Sequence, residues 1–419
     1  MRRWLLLALV ILAGVLNYVD RQAIAVLKPV IAANLHWTDS DYGRLASVFQ
    51  FAAAVGFIFA GRTVDRLGVK WANPVGVAAW SLVAMSHGLA RTFVQFGIVR
   101  AALGFTESMG TPTQIKTVAS LFSADQRSAT LGIANAASNV GAIITPLIVP
   151  VLALTWGWRA AFVAIGAMGL VWVGVWLAAS PGLDLLTRAP DGPTNPRSGA
   201  AAFSGSIFRD RRTWAIAVAK ALSDQVWWLL LFWAPDFFHR IFGLGLARLA
   251  APLAVIYGCA AAGSVIAGLV STALLRRRVR VGIARKGALL VCALLVTPAP
   301  LALTVHSYWL AVALIGLMLA AHQGFSVNLF ALVADIVPAT KVGQVTSFGS
   351  LCGNLAGMGM VFAAGELLTR GAGYGPLLAV ASVSYLLAVA WIQLLLPRLP
   401  VLPVIDAPYR PSLGPPTQT

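Results

Sequence analysis

The chain has 419 residues, 59% of them hydrophobic and 11% charged, with a mean hydropathy of +0.81. Soluble domains are roughly half apolar, so a water-soluble fold could not hide this much surface. The formal net charge of +17 would suggest nucleic acid in a soluble protein, so its meaning depends on where the charges fall.

Apolar stretches of roughly 18 to 25 residues recur along the whole length, each long enough to cross a hydrocarbon core of about 30 Å as a helix. The first, Leu5–Leu27, follows Met1-Arg2-Arg3 in the manner of a secretory signal. It continues through Asn17, Tyr18, Asp20 and Arg21 without a small-residue cleavage site, and is expected to be retained as a helix. The spans that follow are Tyr42–Ala60, Asn73–Leu89, Phe93–Val118, Ser128–Val151 and Arg159–Ala179, which complete a six-helix bundle at 1–180. A polar stretch with prolines and glycines, 181–212, reads as a cytoplasmic linker. The second half offers Thr213–Phe238, Leu249–Leu274, Lys286–Thr304, Tyr308–Val333, Val342–Leu368 and Tyr374–Leu396, a second bundle at 213–397. The tail 398–419 is proline-rich, lacks a hydrophobic period and is expected to be disordered and cytoplasmic.

The predicted fold is an all-α membrane protein with twelve transmembrane helices in two pseudo-symmetric six-helix bundles. A faint internal echo fits duplication. Ser123-Ala124-Asp125-Gln126-Arg127 precedes a helix with Asn139 and Gly141, as Pro338-Ala339-Thr340-Lys341 precedes one with Asn354 and Gly357. Repeated halves of this kind build central sites in transporters.

Alternating the loops places Arg2, Arg3, Arg62, Arg66, Lys70, Lys116, Arg127, Arg209, Arg211, Arg212, Arg276 to Arg278, Arg280, Arg285, Lys286, Lys341 and Arg398 on one side. By the positive-inside rule that side is cytoplasmic, with both termini, in a multi-pass protein of the cell (inner) membrane. The basic excess then reflects topology and anionic lipid, and nucleic acid is not a partner. Cys259, Cys292 and Cys352 lie in apolar segments without zinc-type spacing, which argues against a disulfide framework and a metal site and leaves them as packing residues.

The strongest motif is Gly61-Arg62-Thr63-Val64-Asp65-Arg66-Leu67-Gly68-Val69-Lys70, read as a short cytoplasmic loop between the second and third spans. It is similar to the G-x-x-x-D-R-x-G-x-K/R signature of the major facilitator superfamily. The resemblance implies that Gly61, Asp65, Arg66, Gly68 and Lys70 latch one conformation. Glycines let helices approach closely, and Asp65 can meet a helix end or an arginine in only one arrangement.

Charges within the spans are the second signal, because each costs roughly 2.5 to 3.5 kcal/mol at mid-membrane on insertion scales and is tolerated in a cavity or a pair. Asp20 and Arg21 lie in the first span; Arg100 and Glu107 lie seven residues apart in the fourth, on one helical face. Arg21 and Arg100 offer a permanently charged planar fork suited to a carboxylate. Asp20 and Glu107 can titrate, with a proton affinity set by solvent access and by the ligand. Structural ion pairing between helices is the other reading of these pairs.

These residues resemble the anion:cation symporter family, in particular its hexuronate-transporter branch, over nearly the whole chain. The resemblance is carried by Asn17-Tyr18-Val19-Asp20-Arg21, by Arg100-Ala101-Ala102-Leu103-Gly104-Phe105-Thr106-Glu107, by Asp224-Gln225-Val226-Trp227-Trp228 with Phe232-Trp233-Ala234-Pro235-Asp236, and by Ala321 to Phe330. It implies substrate contact by Tyr18, Arg21 and Arg100, with further polar contacts at Ser138, Gln323, Asn328 and Asn354, and proton coupling through Asp20 and Glu107. Relatives usually carry Tyr and Gln where this chain has Ala53 and Phe57, which makes the pocket more apolar.

Lys220 and Asp224, four residues apart, are expected to pair across one turn, with function and structure equally served. Trp227, Trp228 and Trp233 could stack on a sugar ring, but an interfacial belt is the preferred reading. His322 could relay protons or simply pack.

The function implied is import of a small organic anion, most simply a hexuronate or aldonate, by proton symport with alternating access. No cofactor is implied beyond the coupling ion, no catalytic residues are assigned, and a monomer is assumed. The alternatives are transport of another carboxylate, aromatic or dicarboxylic, and efflux by antiport. A membrane enzyme or a transporter-like sensor is disfavoured because no nucleophile-base pair, metal cluster or phosphate loop is visible.

Overall fold

The structure is a computed structural model that describes residues 2–122, 130, 133–134, 137, 140–181 and 207–399. The described residues form helices α1 Arg2–Leu35, α2 Asp39–Ser86, α3 Phe93–Glu107, α4 Gly110–Leu121 and α5 Val140–Ala179 in the first half. The second half has α6 Arg211–Phe242, α7 Leu246–Arg276, α8 Val281–Val296, α9 Tyr308–Ile336, α10 Ala339–Thr369 and α11 Gly375–Leu395. The internal-echo residues Ser123 to Arg127 and Asn139, the predicted contact Ser138, and most of the linker and tail lie outside the described residues.

Among the described residues, nine helices are long and apolar enough to cross a membrane. The difference from twelve predicted spans has local causes. The stretch 61–70, expected as a loop, is helical except at Gly68, where φ 70° and ψ 164° turn the chain within α2. That left-handed region is open to glycine at little cost, so α2 contains both the second and the third predicted span. Gly157, at φ 83°, divides α5 in the same way. The fourth span is interrupted after Glu107 into α3 and α4, of 15 and 12 residues, each too short to qualify alone.

Helix starts follow the local chemistry. Thr38 and Asp41 form a reciprocal capping box at α2, and Thr92 and Gln95 do so at α3, satisfying backbone donors that a helix start leaves free. Large apolar side chains such as Ile58, Ile98, Val171 and Leu394 point outward, as a protein solvated by lipid tails requires.

The two halves meet where α2 packs on α10, α1 on α6 and α5 on α7. The α2–α10 contact is very close: a Cβ on Gly43 would stand 3.0 Å from Gly365 Cα. Small residues that let backbones touch are the usual currency of helix association in lipid. Arg2 and Lys28 are separated by 26 residues of α1, about 39 Å at 1.5 Å per residue, so they mark opposite ends of the molecule.

Candidate functional site

The centre is built where α1, α2, α3 and α6 converge. On α1, Arg21 donates from Nε to Glu107 Oε2 at 3.0 Å and from Nη2 to Asn17 Oδ1 at 3.0 Å. Its guanidinium also stacks over Tyr18, Phe49 and Trp228, with ring centroids 5.4, 5.5 and 5.5 Å away. Trp228 belongs to the second half, so Arg21 touches both.

Arg100 is fully buried, and none of Nε, Nη1 and Nη2 has a hydrogen-bond partner. Its guanidinium lies 4.5 Å from the Phe49 ring and 5.9 Å from that of Phe232. Cation–π contact recovers about 0.5 to 2 kcal/mol, while an uncompensated buried charge costs several. The five N–H donors are left free for a planar acceptor such as a carboxylate. Asp20 is also buried, with Oδ1 unbonded. The structure thus brings together four of the predicted residues, Tyr18, Arg21, Arg100 and Glu107, with Asp20 adjacent in sequence to Arg21. Of the four predicted charges, only Arg21 and Glu107 form an ion pair with one another.

In the second half, Lys220 and Asp224 pair at 2.7 Å, as expected from their spacing. Asp224 and Trp228 press on glycines of α10: a Cβ at Gly353 would collide with Asp224 Oδ2, and one at Gly357 with Trp228 Cδ1. Asn354, between those glycines, is partly buried and donates to Ser350 O at 3.0 Å. Asn328 is fully buried and donates to Gly324 O at 2.9 Å within its own helix. Gln323 is partly buried. His322 bonds Tyr385 Oη at 2.7 Å and stacks on Trp227, which favours its packing reading. The tryptophan belt is a correction: Trp227 and Trp233 are buried and Trp228 packs against the core, so these rings face the interior rather than the headgroups. Ala53 is partly buried and Phe57 is exposed.

The signature motif is engaged within the first half. Lys116 Nζ donates to Asp65 Oδ1 at 2.7 Å and to Val64 O at 3.2 Å. The partner is a lysine rather than the helix end or arginine anticipated.

Sequence reasoning missed the ring that ties the halves together at the end opposite Arg2. Lys28 Nζ donates to Asp39 Oδ1 at 2.6 Å and to Asp236 Oδ1 at 2.5 Å, and lies 4.4 Å from the Trp233 ring centroid. Arg240 bridges the same carboxylates, reaching Asp39 Oδ2 at 2.7 Å and Asp236 Oδ2 at 3.3 Å. Tyr374 donates to Asp236 Oδ2 at 2.6 Å, and Ser40 and Arg44 both donate to Glu366. Lys28→Met is expected to lower the thermal unfolding midpoint, because removing one partner of a buried pair costs about 3–5 kcal/mol. Adding Asp236→Asn should cost less than its separate effect, with a coupling above about 1 kcal/mol in a double-mutant cycle. Strict additivity would show that these groups do not act as a unit.

The family model described as Major Facilitator Superfamily matches residues 10–359. The hexuronate transporter of Escherichia coli (strain K12) is 25% identical over 415 residues, covering 96% of this chain and 96% of that protein. The hexuronate transporter of Bacillus subtilis (strain 168) is 26% identical over 355 residues, covering 83% of each. A solved bacterial homolog of the human lysosomal transporter Spinster, in an inward-facing and occupied conformation, superposes with a TM-score of 0.73 at 21% identity, covering 94% of this chain and 96% of that one. That last likeness is one of fold.

Proposed function

This chain belongs to the Major Facilitator Superfamily, and we propose that it is a secondary active importer of a sugar acid, a hexuronate or aldonate, driven by proton symport. It is an integral membrane transporter and not an enzyme. The observation that carries the substrate class is Arg100: a guanidinium sealed from solvent with all its nitrogens unbonded, within a site whose other arginine is already held by Glu107. An anionic cargo neutralises that charge, and a neutral one does not.

In the proposed cycle the carboxylate docks on Arg100 and Arg21 while Tyr18, Phe49, Trp228 and Phe232 wall the cargo. Ser138, Gln323, Asn328 and Asn354 supply the further polar contacts. Glu107 and Asp20 take up protons; protonation of Glu107 frees the Arg21 fork for the anion, so cargo and proton bind together. Alternating access moves two six-helix bundles of six crossings each, with α2 and α5 counted as two crossings apiece at Gly68 and Gly157. Both termini face the cytoplasm in the inner membrane. The Lys28–Asp39–Asp236–Arg240 ring closes the outer face, and the Gly61 to Lys70 motif latches the inner one in the opposite state. The protein works as a monomer in contact with anionic lipid.

The test is uptake by purified protein in proteoliposomes of glucuronate, galacturonate, aldonates and small aromatic or dicarboxylic acids at two pH values. Accumulation of a sugar acid, unaltered and with acidification of the lumen, is expected. Uptake confined to the aromatic or dicarboxylic acids would reassign the cargo, and chemical alteration of the compound would defeat the transport reading.

A further inference from the structure

A cavity of about 110 Å³ lies within the first half, between α1, α4 and the second arm of α2. Its lining includes Asn17, Tyr18, Trp80, Thr113 and Gln114, with no charged residue among the described residues. Asn17 Nδ2, Trp80 Nε1, Thr113 Oγ1 and Gln114 Nε2 are buried there without a hydrogen-bond partner. Four unmet polar groups at one void are unusual, since a buried donor left unbonded costs about 1–3 kcal/mol.

The void identifies its own occupant. Among the described residues it carries no cation to hold a carboxylate, and it has room for several waters, each needing roughly 10–15 Å³ of such space. Donors from an indole, an amide and a hydroxyl hold water oxygens, and the Thr113 hydroxyl can also accept.

Its position gives that water a use. The α1 residues lining it, from Val10 to Tyr18, all precede Arg21, and the α4 residues, from Gly110 to Gln114, all follow Glu107. The cavity therefore lies on the Arg2 side of the Arg21–Glu107 pair, towards the end where Lys116 meets Asp65. Asn17 joins the two: its Oδ1 accepts from Arg21, and its Nδ2 would stand 3.9 Å from a Cβ on the lining residue Gly110. The charged or titratable groups that interact electrostatically with Glu107 are Tyr18, Asp20 and Arg21 from α1 and Arg100 from its own helix.

We propose that this cavity, which shares Tyr18 with the cargo wall, is a hydrated proton exit that carries the proton from Glu107 to the amino-terminal face. The step moves a proton only: it leaves the Glu107 carboxyl for the first water and passes along the chain to bulk, and the carboxylate left behind re-forms its pair with Arg21. The inference rests on the symport reading above.

Thr113→Val combined with Gln114→Leu keeps the volume and removes two of the donors. Proton-gradient-driven sugar-acid uptake is expected to slow by about tenfold, while cargo exchange without net proton movement stays within about twofold of wild type. Equal rates to wild type in both assays, or equal losses in both, would overturn the proposal. Independently, Thr113→Cys in a chain whose three native cysteines are replaced by alanine should react with a small water-soluble thiosulfonate; an unreactive thiol would mean a dry cavity and would overturn it too. Wild-type protein that accumulates cargo without importing protons removes the symport reading together with this one, whereas proton-importing wild type with unaffected variants removes this one alone.

Discussion

Arg100→Lys is expected to cut sugar-acid uptake by about a hundredfold or more while the protein still inserts and retains its thermal stability. The charge is kept, so loss must come from geometry. Arg100 sits in a sealed aromatic enclosure with every nitrogen free, and a guanidinium there can hold both oxygens of one carboxylate. Lysine offers a shorter-range point charge with different reach. Hydrogen bonds to charged groups contribute about 1.5–3 kcal/mol each, and losing one such bond plus the fork alignment amounts to two decades in affinity at about 1.4 kcal/mol per decade. Arg100→Ala should abolish uptake altogether. Normal transport by a correctly assembled Arg100→Lys protein, measured by labelled uptake in proteoliposomes, would remove Arg100 as the anchor.

Glu107→Gln is expected to abolish accumulation against a gradient while sparing cargo exchange. Among the described residues Glu107 is the only acidic partner bonded to Arg21, through Nε at 3.0 Å. Glutamine keeps the shape and mimics the protonated carboxyl, so Arg21 remains released and the anion can still dock. What is lost is the group that cycles between charge states, and with it the dependence on the proton gradient. The readout is the ratio of gradient-driven accumulation to exchange at two external pH values: a collapse towards zero in the variant and a steep pH dependence in wild type. Undiminished gradient-driven accumulation by Glu107→Gln would place proton coupling elsewhere, with Asp20 the next residue to replace.

Much of the centre was legible because the bilayer makes charge conspicuous. Asp20, Arg21, Arg100 and Glu107 stand out in apolar runs, and their joint placement follows from helix periodicity plus one contact between α1 and α3. The Lys28 ring was not legible for the opposite reason. Lys28 falls just past the predicted end of the first span, where a lysine reads as an interfacial flank, and Asp236 is 208 residues away. No local pattern links them. The tryptophans misled because ring chemistry suits an interface and a core equally; the burial of Trp227 and Trp233 and the glycines of α10, which admit Trp228 against their backbone, decide for the interior. The Gly68 turn was placed correctly as a motif but not as a shape, since nothing in the spacing distinguishes a loop from two helices joined by a single reversed residue.

Lys28 and Arg240 balance Asp39 and Asp236 with no remainder. Separating such a balanced set displaces no net charge through the membrane field, where one elementary charge moved across 100 mV is worth about 2.3 kcal/mol. In the proposed cycle, parting the two halves at that end would then move no net charge from these four groups.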